Sequence, residues 1–423
     1  MKRKLNIQDV KCTSIYLLIY SGAIKLMFPG LSLFVNILEI LTVLVCVMLF
    51  LSPQKNNFFY KSTVLPILLL TISFIIMLLT AFSSPNVAGA IIRGRSIILT
   101  LAHMYLIFFI SLEIDDEFID KIEKTIIVGN TILLFSYFFF NMTTIISGLQ
   151  SGFRLGDMTG NPIWISRVCG DTMLCIYLKN KRLKRKYHMF LLILIGLINL
   201  MTISKGPIIA AIIAFLFYHY KNDKRTSRKI IRDGALILFC LLLWYMLYSF
   251  GDDSLKYKLS ISVATTASQG SRMDRYAYSI NMIRNNLLTG KGLGSWPMLY
   301  WSQYYDLLDA SVPEFIFGYP HNIFLEILFE SGFIAFFPYI LGIYFFFKIA
   351  GRNITLNNEL QVVLVANLMY AMFSGSATDG NRGLYCILAL CCGVLNVRTK
   401  NKKICVQGIQ DEPRSCKGVL ECK

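Results

Sequence analysis

The chain has 423 residues, 55% of them hydrophobic and only 16% charged, with a formal net charge of +17. An ordinary soluble domain carries roughly a quarter charged residues, so lipid must be the solvent for most of this surface, and no soluble domain large enough to act alone is expected. The basic excess does not point to nucleic acid, because no soluble basic fold accompanies it.

From Met1 the chain enters a first apolar run at about 12 to 29 with no A-x-A processing site, which predicts a retained helix in place of a cleaved leader. Runs near the ~20 residues needed to cross a hydrocarbon core follow at about 31 to 52, 62 to 82, 88 to 112, 123 to 148, 160 to 178, 187 to 203, 206 to 220, 234 to 250, 330 to 349, 359 to 378 and 382 to 397. The expected fold class is therefore all-α integral membrane, with about twelve transmembrane helices and one long periplasmic loop. The boundaries divide the chain into an N-terminal transmembrane bundle at 1–250, the loop at 251–319, C-terminal transmembrane helices at 320–397 and a polar tail at 398–423 expected to be disordered.

Orientation follows from charge. One basic cluster is Lys179, Lys181, Arg182, Lys184, Arg185 and Lys186, and a second is Lys221, Lys224, Arg225, Arg228, Lys229 and Arg232. Short basic connections stay inside, which predicts cytoplasmic termini and an outward-facing segment from Gly251 to Tyr319. The eleven cysteines fall in spans or on the cytoplasmic side, so no structural disulfide is expected. Cys405, Cys416 and Cys422 lack the tight spacing of a zinc site.

The outward segment is the only long connection, and long loops are commonly functional. Within it Met273, Tyr276, Ile280, Ile283 and Leu287 alternate spacings of three and four, which predicts an amphipathic helix lying on the membrane or bundle surface. Arg272 opens this helix beside Ser271, and Arg275 and Arg284 are expected to point away from the stripe. Gly290, Gly292 and Gly294 then break it. They fit a tight turn after a helix, since a nucleotide-binding loop requires a preceding strand.

The segment from Gly318 to Gly332 is the most informative in the chain. Pro320 suits the first turn of a helix, and Asn322, Glu326 and Glu330 recur every four residues on an otherwise apolar surface. Such a polar stripe must face a cavity or other protein. His321 stands at the outer mouth of that helix and is the one histidine placed for chemistry outside, because His188 and His219 flank cytoplasmic loops and His103 lies within a span. Costly cations gather at the same level: Arg93 and Arg95 in the fourth span, Arg154 in the short loop before the sixth, Arg167 within the sixth, and Lys205 between the seventh and eighth. Snorkelling accounts for any one of them. As a group they point to a shared anionic ligand, and diphosphate suits the bidentate geometry of arginine.

The run Gly318-Tyr-Pro-His-Asn-Ile-Phe-Leu-Glu326, preceded by Ser271-Arg272 and by Leu287-Leu-Thr-Gly-Lys-Gly-Leu-Gly294, resembles the O-antigen ligase and polymerase superfamily. Upstream, Arg154-Leu-Gly156, Gly160-Asn-Pro162 and Thr202-Ile-Ser-Lys-Gly206 are similar to further motifs of that superfamily, with Lys205 where arginine is usual. The resemblance covers about residues 150 to 350. It implies a GT-C-like glycosyltransferase of the bacterial inner membrane that acts at the periplasmic face on undecaprenyl-diphosphate-linked oligosaccharide. The expected activity is that of a polymerase joining repeat units. The alternatives are a ligase transferring the glycan to lipid A core and, from a different class, a polysaccharide transporter or flippase.

Under that resemblance His321 and Arg272 are the expected catalytic residues. Arg154, Arg167, Lys205, Arg93 and Arg95 would bind the diphosphate, and Asn322 and Glu326 would position the groups around it. No metal or other cofactor is expected, because no Asp-x-Asp or compact carboxylate cluster lies on the outer side. The expected partners are the lipid-linked substrate, the membrane and a chain-length regulator protein.

Overall fold

A computed structural model describes residues 7–51, 60–112, 116–150, 155–156, 161–183, 186–222, 271–304, 318–352, 358–376 and 381–411. Arg154, the expected ninth span, residues 251–270 and 305–317 and the last twelve residues of the tail lie outside them. All regular structure among the described residues is helical, and the protein is an all-α integral membrane protein.

The helices are α1 (Ile7–Met27), α2 (Ser32–Leu51), α3 (Lys61–Leu79), α4 (Val87–Ser111), α5 (Asp116–Gln150), α6 (Pro162–Leu183), α7 (Lys186–Met201) and α8 (Lys205–Asn222), followed by α9 (Arg272–Asn285), α10 (Trp296–Trp301), α11 (Ile323–Arg352), α12 (Asn358–Ser374) and α13 (Arg382–Asp411). Stretches of α1 to α5 and of α11 are long and apolar enough to cross a membrane, and α7, α8, α12 and α13 contribute shorter apolar segments. On α2 the side chains of Leu33, Phe34, Ile37, Ile40 and Leu41 are exposed, as lipid contact requires. The helix α6 occupies the place of the sixth expected span but carries Ser166, Arg167, Asp171 and Thr172, all buried. It is enclosed by α5, α7, α8 and α12, the surroundings in which so polar a helix is tolerated within a bilayer.

The helix α11 is discontinuous. At Gly332 the backbone takes φ 67°, ψ −171°, a conformation open essentially to glycine alone. A Cβ there would come within 2.1 Å of the Leu288 carbonyl oxygen. The break leaves backbone groups that cannot pair within the helix, and the segment Leu287–Gly292 satisfies them. Phe333 and Ile334 N–H donate to the carbonyls of Leu287 and Leu288 at 2.8 and 3.3 Å, and Lys291 and Gly292 N–H donate to those of Phe329 and Glu330, each at 2.8 Å. The glycine-rich turn is thus a wedge between the break in α11 and the corner joining α3 to α4. Non-helical backbone persists at membrane depth when protein satisfies it in this way.

The helix α9 forms where periodicity placed it, capped by Ser271 Oγ accepting from Asp274 N–H. Its inward face differs from the expected stripe. Ser279 and Ile283 are buried, whereas Met273, Ile280, Leu287 and Leu288 are exposed. The inward side meets an aromatic cluster built by α10 and α11, in which Trp296 stacks on Tyr300 at 4.6 Å and 12°. Polar contacts fix the register: Trp296 Nε1 donates to Ser279 Oγ at 2.8 Å, and the hydroxyls of Tyr300 and Tyr304 donate to Asp274 Oδ2 at 2.5 and 2.7 Å. Arg275, expected to point outward, instead lies over Trp296, Tyr300 and Trp301, where cation–π attraction compensates its partial desolvation.

Candidate functional site

The approach to α11 begins with Gly318. The helix itself begins at Ile323 and not at Pro320, because Asn322 is its cap. The Asn322 Oδ1 accepts from the N–H groups of Phe324 and Leu325 at 2.9 and 3.1 Å, and its carbonyl accepts from Glu326 N–H at 3.0 Å. Pro320 therefore sits in the approach, ahead of the helix. His321 immediately before the cap has φ 61°, a left-handed conformation uncommon for a residue other than glycine. The turn projects the imidazole against the Tyr319 ring, with centroids 4.5 Å apart. Its Nδ1 is buried without a hydrogen-bond partner among the described residues.

Cations surround that imidazole. Burial, followed by the positive charges of Arg275, Arg272 and Arg167, pushes the His321 pKa down from its ordinary 6.5 to about 3. The group is neutral at pH 7 and is a weak base until negative charge arrives to offset the guanidiniums. Arg275 donates to the carbonyl of Tyr319 at 3.3 Å and so links α9 directly to the turn carrying His321. Arg272, at the first position of α9, is exposed and makes one side-chain hydrogen bond among the described residues, to the Phe373 carbonyl at 3.0 Å. Its guanidinium lies 3.8 Å from where a Cβ on Gly206 would stand, beside Lys205 at the start of α8.

Arg167 is buried. It donates to Asn381 Oδ1 at 2.8 Å and to the Tyr370 carbonyl at 3.1 Å, with its guanidinium 4.3 Å from the Trp164 ring. Arg93 is also buried. It donates to Ser376 Oγ at 2.6 Å and to the Gly318 carbonyl at 3.0 Å, and stands 3.5 Å from Glu326 Oε1. Ser376 Oγ in turn donates to Glu326 Oε1 at 2.8 Å. Arg93 and Glu326 are thus placed as a tie between α4, α11 and the corner joining α12 to α13. Arg95, two positions further along α4, is exposed and points elsewhere.

The arrangement brings His321, Arg272, Arg167 and Lys205 together, with Asn322 and Glu326 supporting them. It leaves Arg95 apart, and Arg154 lies outside the described residues. Sequence reasoning missed Arg275, Ser376 and Asn381. Arg275 carried a signal, since it lies one turn from Arg272 on the same helix. Ser376 and Asn381 belong to a small polar run between two apolar segments, and their role emerges because Arg93, Arg167 and Arg272 all donate into residues 370–381. Among the described residues no group of three or more His, Cys, Asp or Glu is placed to hold a metal ion.

A neutral histidine beside several guanidiniums at the end of a membrane bundle can move a proton next to a polyanion. The family comparison is consistent with this chemistry. Residues 189–340 match the O-antigen ligase family model. That match bears out the resemblance to the O-antigen ligase and polymerase superfamily, whose members are glycosyltransferase-like enzymes acting on lipid-linked glycans in the membrane. No curated protein matches the chain. The O-antigen ligase match includes Lys205, Arg272, Arg275, His321, Asn322 and Glu326, whereas Arg93, Arg167, Ser376 and Asn381 flank it. The site is therefore assembled from the segment that matches the family model together with the helices on either side of it.

Proposed function

We propose that this protein is a polysaccharide polymerase that joins undecaprenyl-diphosphate-linked O-antigen repeat units at the periplasmic face of the inner membrane. The observation carrying the reading is the neutral His321, its Nδ1 without a partner among the described residues, facing Arg167, Arg272 and Arg275. In the transfer, an acceptor sugar hydroxyl attacks the anomeric carbon of the donor glycan. The bond from that carbon to the diphosphate oxygen breaks, and the diphosphate departs with the bonding electrons. His321 takes the hydroxyl proton, and the exposed Arg272, with Lys205 and Arg167 behind it, meets the charge that develops on the leaving group. Lys205 supplies charge without the planar fork of arginine. A polymer of regulated length would further require a chain-length regulator as partner.

Transfer to lipid A core is the second reading, favoured by the ligase description of the matching family. Both use the same donor chemistry and differ in acceptor. The surface polysaccharide of a deletion strain, resolved on a gel, separates them. Loss of the polymerase leaves single repeat units on core. Loss of a ligase leaves none on core, with polymer retained on the lipid carrier. An unchanged ladder would overturn both readings.

A further inference from the structure

Beside the site, four helices contribute to a second ionic cluster that the transfer chemistry does not use. Glu39 of α2 pairs through Oε2 with Lys25 of α1. Its Oε1 accepts from Arg382 Nη1 of α13 at 2.7 Å and lies 3.3 Å from His103 Nε2 of α4. His103 is fully buried, and its Nδ1 has no hydrogen-bond partner among the described residues. The Lys25 and Arg382 side chains retain 21% and 19% exposure against 9% for Glu39, so the two cations form the open side of the cluster. Arg382 directly follows Asn381, which holds Arg167, whereas His103 lies ten residues, about 15 Å, further along α4 than Arg93.

Charge counting makes this more than a staple between helices. Two permanent cations share one carboxylate, and among the described residues neither pairs with a second acidic group. Among the described residues, even with His103 neutral, one positive charge is left uncompensated where desolvation is costly. One cation would have sufficed to neutralise Glu39. Lys25 has three N–H donors and Arg382 five, and each spends one on the carboxylate. A monoanion arriving from the lipid side would bring the cluster to neutrality and occupy the spare donors.

We propose that Lys25 and Arg382 form a binding site for the phosphate group of a membrane lipid, with Glu39 holding the two cations side by side. Phosphate offers acceptor oxygens to both cations at once, and a phosphodiester carries the single negative charge the cluster lacks. The lipid-facing surface of α2 on the inner side of Glu39, with Ile40, Leu41, Leu44 and Met48 exposed, would run alongside the acyl chains. The site is independent of the glycosyl transfer proposed above.

The test is the unfolding midpoint of the purified full-length protein in uncharged detergent, titrated with phosphatidylglycerol or with uncharged diacylglycerol. Phosphatidylglycerol should raise the midpoint and diacylglycerol should not, because only a ligand of the folded state stabilises it. Lys25→Gln and Arg382→Gln should each need about tenfold more phosphatidylglycerol for the same increment, the loss expected for one charge-assisted contact. Lys348→Gln, which removes an exposed lysine of α11 elsewhere, should behave as the parent. Glu39→Gln discriminates best. It leaves the two cations unopposed and should strengthen the response, whereas a mere staple would lose stability with no gain in lipid response. A variant too unstable for the titration is read by native mass spectrometry as retained or lost lipid. Undecaprenyl phosphate forms a second arm: a larger increment than that of phosphatidylglycerol assigns the site to the carrier lipid, and an equal one to bulk phospholipid. No increment in the parent, or equal increments in parent, Lys25→Gln and Arg382→Gln, would overturn the proposal.

Discussion

Arg275 and Tyr319 join two parts of the site: the Arg275 guanidinium donates to the Tyr319 carbonyl at 3.3 Å while lying 5.5 to 5.8 Å from the rings of Trp301, Trp296 and Tyr300. The aromatic cluster thereby anchors the turn two residues before His321, and the same cation helps to keep the imidazole neutral. Arg275→Gln should slow glycan transfer roughly tenfold or more through loss of positioning. It should also move the acid limb of kcat/KM to higher pH, since one of the charges opposing protonation of His321 is gone. A slower enzyme with an unmoved acid limb would leave Arg275 a purely structural role.

His321→Asn tests the base directly. Asparagine tolerates the left-handed backbone at this position, so the variant should fold. Removal of the titrating group should slow transfer at least ~100-fold. Equal turnover by variant and parent, measured with lipid-linked substrate in detergent, would return His321 to a structural role and leave the arginines as the catalytic candidates.

The pH profile has a definite sign. A histidine whose pKa is held at about 3 stays neutral as pH falls through the ordinary histidine range, so the acid limb of kcat/KM, which reports the free enzyme, should lie well below 6.5. A bound diphosphate would offset the guanidinium charges and raise the histidine pKa. The acid limb of kcat should therefore lie at higher pH than that of kcat/KM. Coincident limbs near 6.5 would contradict the cationic environment drawn for His321.

Arg272 is exposed and makes a single side-chain hydrogen bond among the described residues, which leaves most of its donors for a ligand. Arg272→Ala should abolish chain extension with membrane insertion intact, and Arg272→Lys should retain partial activity because charge survives and the fork does not. Lys205→Arg should be tolerated. Normal polymer from Arg272→Ala at normal expression would remove the diphosphate role.

Gly332→Ala should destabilise the protein by at least about 2 kcal/mol, from the strained backbone together with the clash against Leu288. The readout is the unfolding midpoint in detergent, or loss of the monodisperse peak where the variant does not fold. A midpoint like that of the parent would show that the break in α11 is not required.

Orientation is tested by reporter fusions. Those after Asn222 and after Lys403 should read cytoplasmic, and one near Ser302 periplasmic. A cytoplasmic signal at Ser302 would reverse the face on which the proposed reaction runs.

The sequence by itself determined the membrane character, the approximate course of the spans and the order of the Ser271-Arg272 and His321 motifs along the chain. These follow from local quantities: hydrophobic run length, helical spacing and motif order along the chain. The tertiary structure decided which cations face one another. Arg93 and Arg95 look alike along the chain, yet one is buried against Glu326 and Ser376 and the other is exposed. Arg275 turned inward because Trp296 and Tyr300 pack on the face of α9 that carries Ser279, a contact that periodicity of apolar residues does not register. Ser376 and Asn381 carry no charge to mark them. They matter because Arg93 and Arg167, which precede them by more than 200 residues, find acceptors there. Burial of a cation requires a partner, and which partner is within reach depends on how the helices pack.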